Sequence, residues 1–239
     1  MSNFETIIYQ KQGNVAQVTL NRPKALNAYN IKMRDELYEV LGAIRDDPEV
    51  RVVLLKGAGE KAFCAGADLT EFLSAPPPVF ARVARFERDV WGRFLSIPKP
   101  FIAVMHGYVL GSGIEMSLCC DIRLCSDDAS FGLPEVTLGI IPAAGGSQTL
   151  PRIIGRSFSL DILLTGRWLG ADEAKRFKLV NRVLPRKALY SEADKLAQRI
   201  KDYDPRVVSC AKQAVTRGLD MTLTEGLRLE KRLGRLFIG

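Results

Sequence analysis

The sequence predicts an α/β fold built from recurring strand, strand, helix units. Three observations carry that reading. Short apolar runs rich in Val, Ile and Leu end in glycine-rich turns. Each is followed by a stretch whose apolar residues fall at helical spacing. At 239 residues, with 47% apolar and 26% charged residues and no low-complexity tract, the chain can bury one sizeable core, with room for a small helical appendage.

In order, Ile7 to Gln12 and Asn14 to Leu20 are short runs with partial alternation around Gly13, which predicts a hairpin. Asn30 to Arg45 puts Ile31, Leu37, Val40, Leu41 and Ile44 near helical spacing, so a helix follows and stops near Asp46-Asp47-Pro48. Val50 to Lys56 is the next strand, with Gly57 and Gly59 in its turn. The unit recurs as a strand at Phe101 to Met105, a tight glycine turn, a helix from about Ser112, a strand at Ile122 to Cys125 and a helix near Gln148 to Ile154. From Leu160 onward the pattern is helical, with a short strand at Val180 to Leu184 and helices near Lys187 to Asp202, Pro205 to Gly218 and Met221 to Leu233. The core of ββα units is expected to span 1–185 and a C-terminal helical region 186–239.

Composition removes several chemistries. The five cysteines are odd in number and lack C-x-x-C spacing, which predicts reduced, buried thiols, and His106 is the only histidine. A zinc site, or a Cys–His or Ser–His pair, therefore has little material. No stretch approaches the ~18 consecutive apolar residues of a membrane span, and Met1 to Glu5 opens without a signal-peptide pattern, so no membrane partner and a cytoplasmic location are expected. A mitochondrial matrix location would apply if a transit peptide precedes this sequence. The net charge of +7 fits a solvated basic surface, an anionic ligand such as coenzyme A, or RNA. Nucleic acid is not expected, because the chain has no arginine-rich tract or aromatic ladder.

Two carboxylates stand out. Glu115 falls in the first turn of the helix after G-S-G-I, where orphan N–H groups and a partial positive charge favour an anionic oxygen. Glu135 follows Pro134 among apolar residues and precedes a second Gly/Ala-rich turn, a poor place for a solvated charge. Each alone reads most simply as a helix-end partner or a loop residue; the pair in these surroundings points to acid–base chemistry.

Five blocks in order resemble the crotonase, or enoyl-CoA hydratase/isomerase, family: Asn21 to Ala28, Lys61 to Leu69, Ile102 to Glu115, Phe131 to Gly146 and Leu164 to Ala174. The resemblance implies stacked ββα turns forming a crotonase-like spiral. It implies hydration of the 2,3 double bond of an enoyl-CoA thioester, Glu115 acting chiefly as base toward water and Glu135 chiefly as proton donor. The amides of Ala67 and Ser112 would form the oxyanion hole. Lys24, Ala25 and Leu26, with Ala65, Asp68, Leu69 and Thr70 close by, would contact the CoA moiety, and Gly111, Pro134 and Ala143 belong to the same expected substrate site. By their sequence alone Lys24 reads as a solvated lysine and Asp68 as a helix cap. No metal or redox cofactor is expected, CoA being part of the substrate. Residues 71–91 are expected to form a loop and helix beside the acyl pocket, with Phe72, Leu73, Val83, Phe86 and Trp91 as wall candidates or core residues. Partners are expected to be an acyl-CoA thioester and copies of the chain in a trimer or hexamer. The family commonly continues past the position of Gly239 through an acidic stretch and a final helix, so the C-terminal region is expected to be shortened. Enoyl-CoA isomerase is the alternative activity in the same fold, and an RNA-binding hydratase-like protein the alternative of another class.

Overall fold

The computed structural model describes residues 4–74 and 88–237. Among them the strands form two sheets. The larger has six strands, β1 (Ile7–Gln12), β2 (Val15–Leu20), β3 (Val52–Gly57), β5 (Phe101–Met105), β7 (Ile122–Ser126) and β10 (Arg182–Leu184), in that spatial order. β1 and β2 are antiparallel; every later pairing is parallel. The smaller sheet has β4 (Ala62–Cys64), β6 (Tyr108–Leu110), β8 (Ser130–Gly132) and β9 (Trp168–Gly170), parallel except for β8 with β9. The chain therefore winds as a spiral, and three successive turns each lay one strand in the large sheet and the next in the small one.

This second sheet is the main departure from the sequence reading, which placed only a tight turn between Met105 and Ser112. Its strands have three residues each, too few for alternation to register. Smaller shifts occur at boundaries. The strand expected from Val50 begins at Val52, that expected from Val180 begins at Arg182, and the helix expected near Gln148 starts at Gly146. The hairpin, the helix Ile31–Asp46 and the helix starting at Ser112 form where expected.

Helix Ile31–Asp46 starts where the Asn30 side chain accepts from the Met33 amide at 2.9 Å. It buries Met33, Leu37, Val40, Leu41 and Ile44 against the sheet, each essentially inaccessible, and burial of one such side chain is worth about 1.5–3 kcal/mol. On the opposite sheet face, helix Leu189–Lys201 places Leu189, Ala193 and Ala197 against Val15, Val52, Leu54, Ile102, Val104 and Leu124. That helix belongs to the packed core, so the change in packing comes after Lys201 rather than at 186. Beyond it, helices Pro205–Gly218 and Leu223–Gly234 pack mainly on each other, and Leu229 is their one buried residue. Lys212 ties them to the large sheet through Asp121, just before β7, at 2.8 Å. Among the described residues, no helix is long and apolar enough to cross a membrane.

Cys64, Cys119, Cys120 and Cys125 are free and buried, and Cys210 is free and half-buried. His106 is fully buried, with Nδ1 3.2 Å from the Tyr190 hydroxyl.

Candidate active site

The C-terminal ends of the three parallel strands of the small sheet bring the site together. β4 runs into Ala65-Gly66-Ala67, β6 into Gly111-Ser112, and β8 into Pro134-Glu135. Gly66 and Gly111 make this convergence possible. Gly66 has φ +103°, and a Cβ on it would lie 3.3 Å from the Leu110 carbonyl oxygen. Gly111 has φ +48°; a Cβ there would meet Glu135 Oε1 at 3.0 Å and the Gly66 Cα at 3.4 Å. Only a residue without a side chain suits both the backbone and the space.

Ala67, Ser112, Glu115 and Glu135 all line one cavity of about 320 Å³. The amides of Ala67 and Ser112 have no acceptor among the described residues. Ser112 owes this to its place as the first residue of helix Ser112–Leu118, beyond the reach of the intrahelical ladder. Ala67 owes it to its turn: its neighbours are stitched to Tyr29, whose N–H donates to the Gly66 carbonyl at 2.8 Å and whose carbonyl accepts from Asp68 N at 2.9 Å. The Ala143 amide, in the turn that also lines the cavity, likewise has no acceptor among the described residues. A carbonyl oxygen entering between the first two amides would meet donors already fixed by the backbone.

Glu115 is 3% exposed, in a helix buried over its whole length. Its Oε1 accepts from Ala144 N at 2.9 Å and Gly146 N at 3.0 Å. Burial pushes its carboxyl up to about 7; the Gly146 and Ala144 amides oppose that, and the like charge of Glu135 adds to it. Glu135 lies in the 3-10 turn Pro134–Leu138, half-buried, and its Oε2 is buried with no hydrogen-bond partner among the described residues. Burial raises its carboxyl as well. Two carboxyls that both resist ionisation in one cavity titrate as a coupled pair. The Ala144 and Gly146 amides favour a charge on Glu115 and the orphan oxygen of Glu135 receives no such support, but burial acts the other way and raises Glu115 strongly.

Of the other expected residues, Ala65, Leu69, Gly111, Pro134 and Ala143 line this cavity. Asp68 and Thr70 do not. Asp68 is 8% exposed, pairs with Arg22 at 2.8 Å and accepts from the Thr70 hydroxyl at 2.6 Å. Burial alone would raise its carboxyl, but the bonds from Thr70 and Arg22 outweigh that and hold it below the usual range. Its evident work is to fix the turn that carries Ala67. Lys24, Ala25 and Leu26 also stand outside the cavity. They occupy a 3-10 turn (Pro23–Ala25) and its left-handed cap at Leu26, φ 51°, with Lys24 exposed; Leu26 accepts from Ala65 N at 3.0 Å. Val83 and Phe86, and the side chains of Phe72 and Leu73, lie outside the described residues. Trp91 lines the cavity.

Sequence reasoning missed the amide clamp of Ala144 and Gly146 on Glu115, whose only trace was the run A-A-G-G. It also missed Tyr29, which follows the first family-like block by one residue and lines the cavity with Leu138, Ile140 and Ile141.

A spiral of ββα turns with two acidic groups and two unpaired amides in one cavity defines a crotonase-type fold and site. Residues 10–238 match the enoyl-CoA hydratase/isomerase family, and the chain belongs to it. It is 42% identical over 231 residues to a probable enoyl-CoA hydratase of Rhizobium meliloti, covering 97% of this chain and 89% of that one. It is 41% identical over 227 residues to the short-chain-enoyl-CoA hydratase of Clostridium acetobutylicum, covering 95% and 87%. The crystal structure of an enoyl-CoA hydratase from Bacillus anthracis is similar with a TM-score of 0.94 at 38% identity, covering 98% of this chain and 91% of that one.

Proposed function

We propose that this protein is an enoyl-CoA hydratase, adding water across the 2,3 double bond of an enoyl-CoA thioester. The observation that carries the reading is the pairing, in one cavity, of two raised carboxyls with two backbone amides that lack acceptors. The thioester oxygen accepts from Ala67 and Ser112, which polarises the enoyl system and holds the enolate; one such donor is worth about 2.7–4 kcal/mol in other enzymes. Glu115, ionised, takes a proton from the water whose oxygen bonds to the β-carbon. Glu135 delivers its proton to the α-carbon, and the proton gained by Glu115 restores the pair to its starting charge. Because each transferred proton and the developing oxyanion have a protein group, the proposed reaction calls for no resident metal or redox cofactor.

Lys24, exposed beside the Ala65 turn, is proposed to meet the CoA adenine and pantetheine region together with Ala25 and Leu26. A trimer or hexamer is proposed on the exposure of Val215 (63%), Leu219 (77%), Leu223 (79%) and Leu227 (55%) along the last two helices, apolar area that a further copy would cover.

Incubation with a panel of enoyl-CoA thioesters, following loss of the conjugated double bond and product by mass, tests the activity. Addition of one water to at least one 2-enoyl-CoA is expected. Migration of a double bond in a 3-enoyl-CoA with no hydration of any 2-enoyl-CoA would replace this reading with isomerisation.

A further inference from the structure

The hydratase reading leaves open what acyl group the cavity accepts. Its polar lining includes the two glutamates, Ser112, Thr137 and the turn amides; much of the remaining described lining is apolar, and two aromatic residues stand in it, Tyr29 and Trp91. They meet at 5.6 Å between centroids with planes tilted by 44°, within the roughly 4.5–7 Å range of paired aromatic rings.

Both rings are held from behind. Tyr29 is 5% exposed and is locked by two backbone hydrogen bonds to the turn that carries Ala67. Trp91 sits on helix Val90–Ser96, between Val90 and Phe94, which are inaccessible to solvent and fasten that helix to the core. The Asp89 side chain starts the helix by accepting from Gly92 N at 2.7 Å. The backbone that carries each ring is thus anchored to the core or to the Ala67 turn.

The Tyr29 backbone is also tied to the turn that would hold the reacting carbonyl. Tyr29 and Ala67 are partners in a parallel β-bridge, so their backbones lie about one strand spacing apart, ~4.8 Å. An acyl chain whose thioester oxygen rests on the Ala67 amide therefore begins beside the backbone of Tyr29, in the cavity that both aromatic residues line.

We infer that Trp91, braced by Tyr29, is the wall that ends the acyl subsite and makes the enzyme selective for short enoyl groups. Trp91 is a specificity-determining residue in this account. It takes no part in proton transfer.

The test compares kcat/KM for the 2-enoyl-CoA thioesters of four, six, eight and ten carbons in the parent, Trp91→Phe and Trp91→Ala. A single methylene too many at a closed apolar wall is worth on the order of 10-fold or more. The parent should therefore fall by at least ~10-fold between the four- and ten-carbon esters. Trp91→Ala should raise the ten-to-four ratio by at least ~10-fold, and Trp91→Phe, which keeps a ring against Tyr29, should fall between. A parent indifferent to chain length, or a ratio unchanged within about twofold in the folded Trp91→Phe and Trp91→Ala proteins, overturns the inference. Should Trp91→Ala fail to fold, the same ratio in Trp91→Phe decides it: an unmoved ratio counts against the wall. A parent that hydrates no ester at all sinks the hydratase reading instead. In that event calorimetric binding of saturated acyl-CoA thioesters of the same lengths still tests the wall, with tighter binding of the long chains by Trp91→Ala expected and an unchanged series contradicting it.

Discussion

Replacing Glu115 with Gln should abolish most of the activity and at the same time make the protein more stable, by an amount that grows above pH 4.5 and is complete above about 7. The carboxyl is raised from 4.5 to about 7, chiefly by burial. The folded state therefore holds this proton more tightly than the unfolded chain does. Below pH 4.5 both states are protonated and the residue carries no pH-dependent penalty. As pH rises from 4.5 to 7 the unfolded chain ionises first and stability is lost, and above 7 the whole cost is present. A shift of that size corresponds to about 3 kcal/mol, from ~1.36 kcal/mol per pKa unit. Coupling to Glu135 and water in the cavity reduce it, so a gain of roughly 1–3 kcal/mol is expected for Glu115→Gln at pH 8. Gln still offers Oε1 to the Ala144 and Gly146 amides, so those bonds need not be left unmade. Urea or thermal unfolding at one protein concentration, at pH 5 and pH 8, measures the difference. For a chain of this size each kcal/mol moves Tm by about 2–4 °C. Equal stability changes at the two pH values, or a loss of stability at pH 8, would refute the argument that a buried charge is being tolerated for function.

Other outcomes follow from the same geometry. Gly146→Ala should lower hydration by ~10–100-fold with little change in folding, since the new Cβ would lie 3.0 Å from Glu115 Oε1 and 3.1 Å from its Cγ, and small misplacements of a catalytic group are costly; steady-state rates beside a melting curve would reveal it, and parent-like turnover would count against the clamp. The acid limb of the pH profile of kcat/KM should have an apparent value near 7 that belongs to the pair, and in Glu135→Gln the residual activity should titrate lower, because the like charge that helps raise Glu115 is gone; an acid limb that does not move would contradict the coupling. Asp68→Asn should cost about 1–3 kcal/mol at pH 7, through the Arg22 pair at 2.8 Å. Because the Asp68 carboxyl is held below 3.8, its contribution is present above that value and shrinks as pH falls through the folded one, so unfolding curves at pH 7 and near pH 3 should differ.

Much of this site was legible because glycine and proline mark it. Glu115 and Glu135 stood out as acidic residues in apolar, glycine-punctuated stretches, and the structure brings both into one cavity. The unpaired amides of Ala67 and Ser112 left no trace in side-chain chemistry, since a backbone donor can be carried by almost any residue; only the resemblance of whole blocks pointed to them. The Ala144 and Gly146 clamp was hidden for the same reason. In Asp68 an acidic residue near the site turned out to be occupied by Arg22 and Thr70, a partnership set by tertiary contacts and not by spacing. The small sheet escaped because three-residue strands show no period, and yet its strand ends lead into Ala67, Ser112 and Glu135. Tyr29 reads as an ordinary aromatic before a helix cap until its ring meets Trp91, sixty-two positions later, across the cavity.

Hydration of crotonyl-CoA by the parent, Glu115→Gln, Glu135→Gln and the double variant is the most direct measurement of the central claim, that one water and one shared proton are handled by this pair. Each single change should lower the rate by about 10²–10⁴-fold. The double variant should fall no more than roughly 10-fold below the poorer single one, because groups serving one step do not contribute independently. Hydration by Glu115→Gln at nearly the parent rate, or fully multiplicative losses in the double variant, would contradict the account.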